Sequence, residues 1–149
     1  MRIVVDTNVL VSSQLTPHGP ACVVVGLALA RVVQPLVDGR MLDEHEEVLR
    51  RPEFDFAPAD VVAFLDRWKQ VAVMVTAGPI PGGVKGLPDP DDAAFLEVAF
   101  SGKAEVLVTS NLKHYPERCR HGIAVVTPMT FVSAYLQPRK PGPGHRSRP

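Results

Sequence analysis

Short runs of β-branched residues, RIVV at 2–5, EVLVT at 105–109 and IAVVT at 123–127, are separated by stretches whose apolar residues recur at helical spacing. That alternation limits the fold more than any other feature. Strands so continuously apolar need cover on both faces, which parallel strands joined by helical crossovers provide. The sequence therefore predicts an α/β protein, a three-layer α/β/α sandwich around a central, mostly parallel sheet. Two further strands are expected at 32–37, which Pro35 confines to an edge or a short span, and at 71–76. Helices are expected at 21–31, 41–51, 59–70 and 93–101, and from Pro128 to about Leu136, with 41–51 and 59–70 forming a helical hairpin. Residues 77–88 hold four glycines and three prolines and read as a long irregular loop.

Sixteen basic and 16 acidic residues give a net charge of zero, but unevenly placed. Residues 138–149 contain Arg139, Lys140, Arg146 and Arg148 with no acid, which leaves 12 basic against 16 acidic residues in the remainder. Four prolines and two glycines in that segment preclude a packed core, so the expectation is one domain over 1–137 and a disordered basic tail over 138–149. A net-negative body does not bind nucleic acid by bulk charge. The longest apolar stretch, 21–33, is interrupted by Gly26 and Arg31, so no membrane span is expected, and the early Asp6 argues against a secretory signal. The expected location is cytoplasmic. Cys22 and Cys119 stand too far apart in sequence for a metal motif and read as isolated thiols.

In an open parallel sheet, ligands meet the carboxyl ends of the strands, so the residues there are the first candidates for chemistry. Asp6 follows the first strand, Thr109, Ser110 and Asn111 follow the 105–109 strand, and Asp89, Asp91 and Asp92 open the helix before it. Carboxylates gathered at such a place repel one another and bind protons more tightly unless a divalent cation holds them together. Oxygen-only donors suit Mg²⁺ or Mn²⁺. The simpler alternative for Asp89, Asp91 and Asp92 is a helix cap.

Four segments in this order, VVDTNVLVS, DEHEEVLRRPEF, DPDDAAFLEVA and VTSNLKHYP, resemble the PIN-domain nucleases, most closely the VapC-like toxin components of bacterial toxin–antitoxin pairs. The resemblance covers roughly residues 2–133 and implies a Mg²⁺- or Mn²⁺-dependent endoribonuclease that hydrolyses RNA phosphodiesters with metal-activated water. On it, Asp6, Glu47 and Asp92 match the metal-binding acids, with Asp89 and Asp91 as secondary acids. Asn111 stands where many relatives carry a fourth Asp, a departure that weakens the case for a second metal. Thr7, Asn8, Thr109 and Ser110 are expected to brace the ligands, and Lys113, His114, Arg50 and Arg51 to meet RNA. The resemblance also implies a small cognate antitoxin as partner, and pairing of two copies is common among PIN-like nucleases.

The remaining histidines, His18, His45, His121 and His145, read as surface or loop residues. Two other readings compete. A phosphotransferase that forms an aspartyl phosphate on Asp6 needs an acid two residues later, where this chain has Asn8. A degenerate PIN-like module that binds RNA or protein without cleaving is the alternative that Asn111 favours.

Overall fold

The computed structural model describes residues 1–135. The expected tail at 138–149 lies outside the described residues. Five strands, β1 (Arg2–Val5), β2 (Gln34–Val37), β3 (Val73–Met74), β4 (Val106–Val108) and β5 (Ala124–Val126), form one sheet in the order β3-β2-β1-β4-β5. Every pairing is parallel, with Ile3, Val4 and Val5 of β1 opposite Val106, Leu107 and Val108 of β4. From β1 the chain winds outward through β2 to β3, then returns to the other side of β1 for β4 and β5. The strand order thus reverses between β1 and β4, where the crevice of a doubly wound sheet opens.

Alternation along β1 divides the core. Ile3 and Val5 point into a cluster built from α1 (Thr7–Leu15), α2 (Pro20–Leu29), α4 (Pro58–Val71) and α6 (Pro128–Tyr135). Val4 points the other way, toward Phe95, Leu96 and Ala99 of α5 (Ala93–Ser101) and Met41 of α3 (Gly39–Leu49). The third layer is completed by Ile80 from the 77–88 segment, which contains no helix or strand. Gly102 ends α5 where a Cβ would stand 2.6 Å from Leu36 Cδ1 and 3.0 Å from Val98 O, so a side chain there would have to displace Leu36 as α5 closes onto β2.

Three elements differ from the sequence expectation. Helix α1 has no counterpart there: Thr7, Val9, Leu10, Val11 and Ser13 are all buried, so the helix lacks the one-sided polar pattern that reveals most helices. The 71–76 strand contracts to Val73–Met74, because α4 runs on through Val71. The 32–37 strand begins only at Gln34, and of the two forms Pro35 allowed it takes the short one, four residues inside the sheet with Pro35 at the register position opposite Ile3. Among the described residues, no helix is long and apolar enough to cross a membrane.

Candidate active site

The chain leaves β1 at Val5 and turns directly into α1, so Asp6 is at once the residue after a buried strand and the N-cap of a helix. Its backbone N–H continues the ladder to Val108 O at 2.9 Å, which sets the side chain in the crevice between β1 and β4. Asp6 is buried. Its Oδ2 accepts two hydroxyl donors, Thr109 Oγ1 and Tyr115 OH, each at 2.9 Å. Burial pushes the Asp6 carboxyl up from its ordinary range, against the pull of these two donors and of the Thr7 N–H.

Thr109 spends all its hydrogen-bonding capacity here. While donating to Asp6 it accepts from the Asn111 N–H at 3.2 Å and from Asn8 Nδ2 at 3.3 Å. Asn8 in turn accepts from the Ser110 N–H at 3.0 Å, which ties the loop after β4 to the first turn of α1. Tyr115 is wholly buried with its hydroxyl under Asp6, a position sequence reasoning did not single out. Burial, followed by the nearby charges of Asp6 and Asp92, pushes its phenol well up, so it stays a donor at any physiological pH.

Asp92 closes a short 3-10 turn, Pro90–Asp92, that leads into α5. It is 5% exposed, and its Oδ2 has no hydrogen-bond partner among the described residues. The nearest basic side chain, His114, holds its Nδ1 3.7 Å away, beyond hydrogen-bonding range. Burial, then the charges of Asp6, Asp89, Glu44 and Asp91, push Asp92 up to about 7. Asp89 and Asp91 are exposed, and Asp89 Oδ1 is occupied in accepting the Asp91 N–H at 2.9 Å.

The helix-borne acid of this group is Glu44. Its Oε2 accepts from Thr7 Oγ1, and burial together with the charges of Asp6, Asp89 and Asp91 pushes it up. Glu47, the match offered by the resemblance, lies farther out on a cleft that both line: it is exposed and its carboxylate takes a two-pronged contact from Arg51, 2.9 Å at its shortest. One helical turn carries a residue about 5 Å along the axis, and that displacement moves Glu47 away from Thr7. The signal was available in the helix itself. Its buried residues are Met41, His45 and Leu49, and at about 100° per residue Glu44 lies about 60° closer to that stripe than Glu47 does. Reading His45 as a surface residue obscured it; His45 is fully buried.

Of the other expected residues, Asn111 is exposed and turns its Oδ1 onto the Lys113 N–H at 3.1 Å, capping a short turn instead of joining the carboxylates. Arg50 and Arg51 are paired with Glu46 and Glu47 along α3, and of the two arginines Arg51 lines the outer cleft. Lys113 is exposed on the rim, with no ion pair among the described residues, and His114 lies beside Asp92. An open cleft of about 550 Å³, lined by Arg40, Glu44, Glu47, Asp89 and Asp91 among others, continues outward from the site.

This donor set suits a hard divalent cation. Its acids are all carboxylates, and one buried carboxylate oxygen is left without a partner. Among the described residues no three His, Cys, Asp or Glu side chains already surround a single point; Asp6, Glu44 and Asp92 are near enough for the charge of Asp6 to push up both of the others.

This architecture and this chain match known proteins. The family model described as PIN domain matches residues 2–113. The chain belongs to the PIN domain family. The matched span contains Asp6, Glu44, Asp92 and Thr109 but stops before Tyr115, so the buried phenol beneath Asp6 lies beyond the part the PIN model describes. Among solved structures, a chain of VapBC2 from Rickettsia felis, crystallised with a DNA fragment from its promoter, shares the fold with a TM-score of 0.56 at 14% identity. The match covers 85% of this chain and 98% of that one. No curated protein matches the chain in sequence.

Proposed function

We propose that this PIN domain is a Mg²⁺- or Mn²⁺-dependent endoribonuclease, with Asp6, Glu44 and Asp92 as its cation-holding acids, and that it is the toxin of a toxin–antitoxin pair. The observation that carries the enzymatic reading is the buried, partnerless Oδ2 of Asp92, set in the same negative field as Asp6 and Glu44. A buried carboxylate without a donor is costly, and a cation is the partner that removes the cost while a proton is the alternative. When bound, a divalent cation supplies Lewis acidity toward a phosphodiester and an attacking water.

The chain's own side chains do the rest. Thr109 and Tyr115 fix Asp6 from beneath, while Asn8 locks the loop after β4 against α1. Lys113 supplies positive charge and His114 a ring nitrogen at the rim for an RNA phosphate. Arg50 and Arg51, committed to intrahelical pairs, are left out of this assignment. The toxin assignment is supported by membership of the PIN family and by the fold shared with the VapBC2 chain. A cognate antitoxin is its expected partner.

The test combines Asp6→Asn and Asp92→Asn with the wild type in two assays, cleavage of a structured RNA across Mg²⁺ and Mn²⁺ concentrations, and calorimetric titration with Mn²⁺. Wild-type cleavage and Mn²⁺ uptake that both disappear in the two variants support the reading. RNA binding without cleavage at any metal level identifies a non-cleaving module instead, the outcome consistent with Asn111 in place of an acid. Co-purification with the product of the neighbouring reading frame tests the partner.

A further inference from the structure

Among the described residues His45 is the one fully buried histidine, and the proposed function gives it no task. It occupies the middle of the apolar stripe of α3, between Met41 and Leu49, with the Phe95 ring 6.2 Å away and tilted by 48°. An aliphatic residue would fill that place without desolvating an imidazole. The ring's polar contact explains the choice. His45 Nδ1 lies 2.8 Å from Thr7 Oγ1, and the same hydroxyl lies 2.5 Å from Glu44 Oε2.

The proton count along this chain has one solution when Glu44 is ionised. A carboxylate only accepts, so the single hydroxyl proton of Thr7 goes to Glu44. Thr7 Oγ1 is then an acceptor toward His45, and Nδ1 must carry a hydrogen. Nδ1 is the ring nitrogen with a partner, while the buried Nε2 has none among the described residues, so a hydrogen on Nδ1 is the one this geometry uses.

We propose that His45 is a positioning residue, whose Nδ1–H commits the Thr7 hydroxyl to Glu44 and thereby aims the Glu44 carboxylate at the space shared with Asp6 and Asp92. The proposal rests on the cation-site reading of Glu44. It adds that the α3 acid is oriented from inside the core, by a residue next to it in sequence and through a side chain of α1. Removing partners behind a metal ligand costs about 10- to 100-fold in metal affinity, and His45 acts one bond further back, so the low end applies.

Two measurements decide it. In the metal-free wild type, long-range ¹⁵N–¹H correlation of the imidazole shows the Nδ1–H tautomer of His45; the Nε2–H tautomer overturns the proposal whatever the metal does. In calorimetry, His45→Leu weakens Mn²⁺ binding about tenfold. His45→Asn, whose Nδ2 sits where Nδ1 was, recovers most of that loss, while His45→Gln, which places its amide where Nε2 was, does not. Thermal melts of the variants accompany the titrations; if His45→Leu fails to fold, the Asn and Gln variants carry the comparison. Equal Mn²⁺ affinity in wild type and Leu variant, or equal affinity in the Asn and Gln variants, overturns the positioning role and leaves the cation site standing. A wild type that takes up no Mn²⁺ overturns the site itself, and the proposal with it.

Discussion

Residues 43–47 and 89–92 are both acid-rich, and each turns a single acid inward. In α3, Glu44 is drawn in by the Thr7 hydroxyl, while Glu46 and Glu47 take Arg50 and Arg51 as partners at the surface. In the turn before α5, Asp92 is buried, while Asp89 caps the turn and Asp91 is exposed. The two inward acids differ in how they are kept. Glu44 is half-buried and has a donor; Asp92 is buried and one of its oxygens has none. An acid's role is therefore set by what faces it across the fold and not by the density of acids around it in the chain.

The strongest way to break this contrast is Asp92→Asn beside Asp91→Asn. The first is expected to lower RNA cleavage by more than about 100-fold, beyond the usual cost of losing an indirect partner, and the second to leave it nearly unchanged. Comparable losses in both would show that the turn acts as a diffuse negative patch. Next in size is Glu44→Gln against Glu47→Gln. Mn²⁺ affinity should drop about 100-fold for Glu44 and stay within about twofold for Glu47, and a reversed order would return the helix-borne ligand to Glu47.

Tyr115→Phe removes only the hydroxyl beneath Asp6. The expected results are an about tenfold weaker Mn²⁺ affinity and a destabilisation of about 1–3 kcal/mol in chemical denaturation, since a buried carboxylate loses a donor. Unchanged affinity would confine Tyr115 to packing.

The pH dependence is subtler. Asp92 titrates at about 7 in the folded chain against an ordinary 3.8, so the native state holds its proton more tightly than the unfolded one. Without divalent cations, the Asp92 contribution to stability is present below about pH 4 and is lost as pH rises through about 7. Melting temperatures of the chelated protein should fall across that window, with the slope flattened in Asp92→Asn and by saturating Mn²⁺. A chelated wild type with the same slope as Asp92→Asn would remove Asp92 as the cause. Smallest of all, Arg51→Ala should leave both melting temperature and cleavage unchanged, because its partner Glu47 is solvent-exposed.

Much of this was legible in sequence because it depends on local pattern. Alternating β-branched runs and amphipathic stretches specified a parallel sheet between helices, and the position of Asp6 after an apolar run marked the carboxyl edge of that sheet. What stayed hidden was local structure without contrast. Helix α1 is buried on most sides and so lacks a polar face to reveal it, and His45 hid its burial behind four acidic neighbours.

By itself the sequence determined the class of fold, the strand that ends in Asp6 and the acid type of the residues near it, since these follow from periodicity and from the energetic cost of burying charge. Only the tertiary structure decided which acid of α3 turns inward, that Tyr115 reaches under Asp6, and that Asn111 spends its side chain on a turn. Those outcomes depend on contacts between residues 37 to 109 positions apart in the chain, or on which backbone amide a side chain happens to face, and no local spacing rule encodes either.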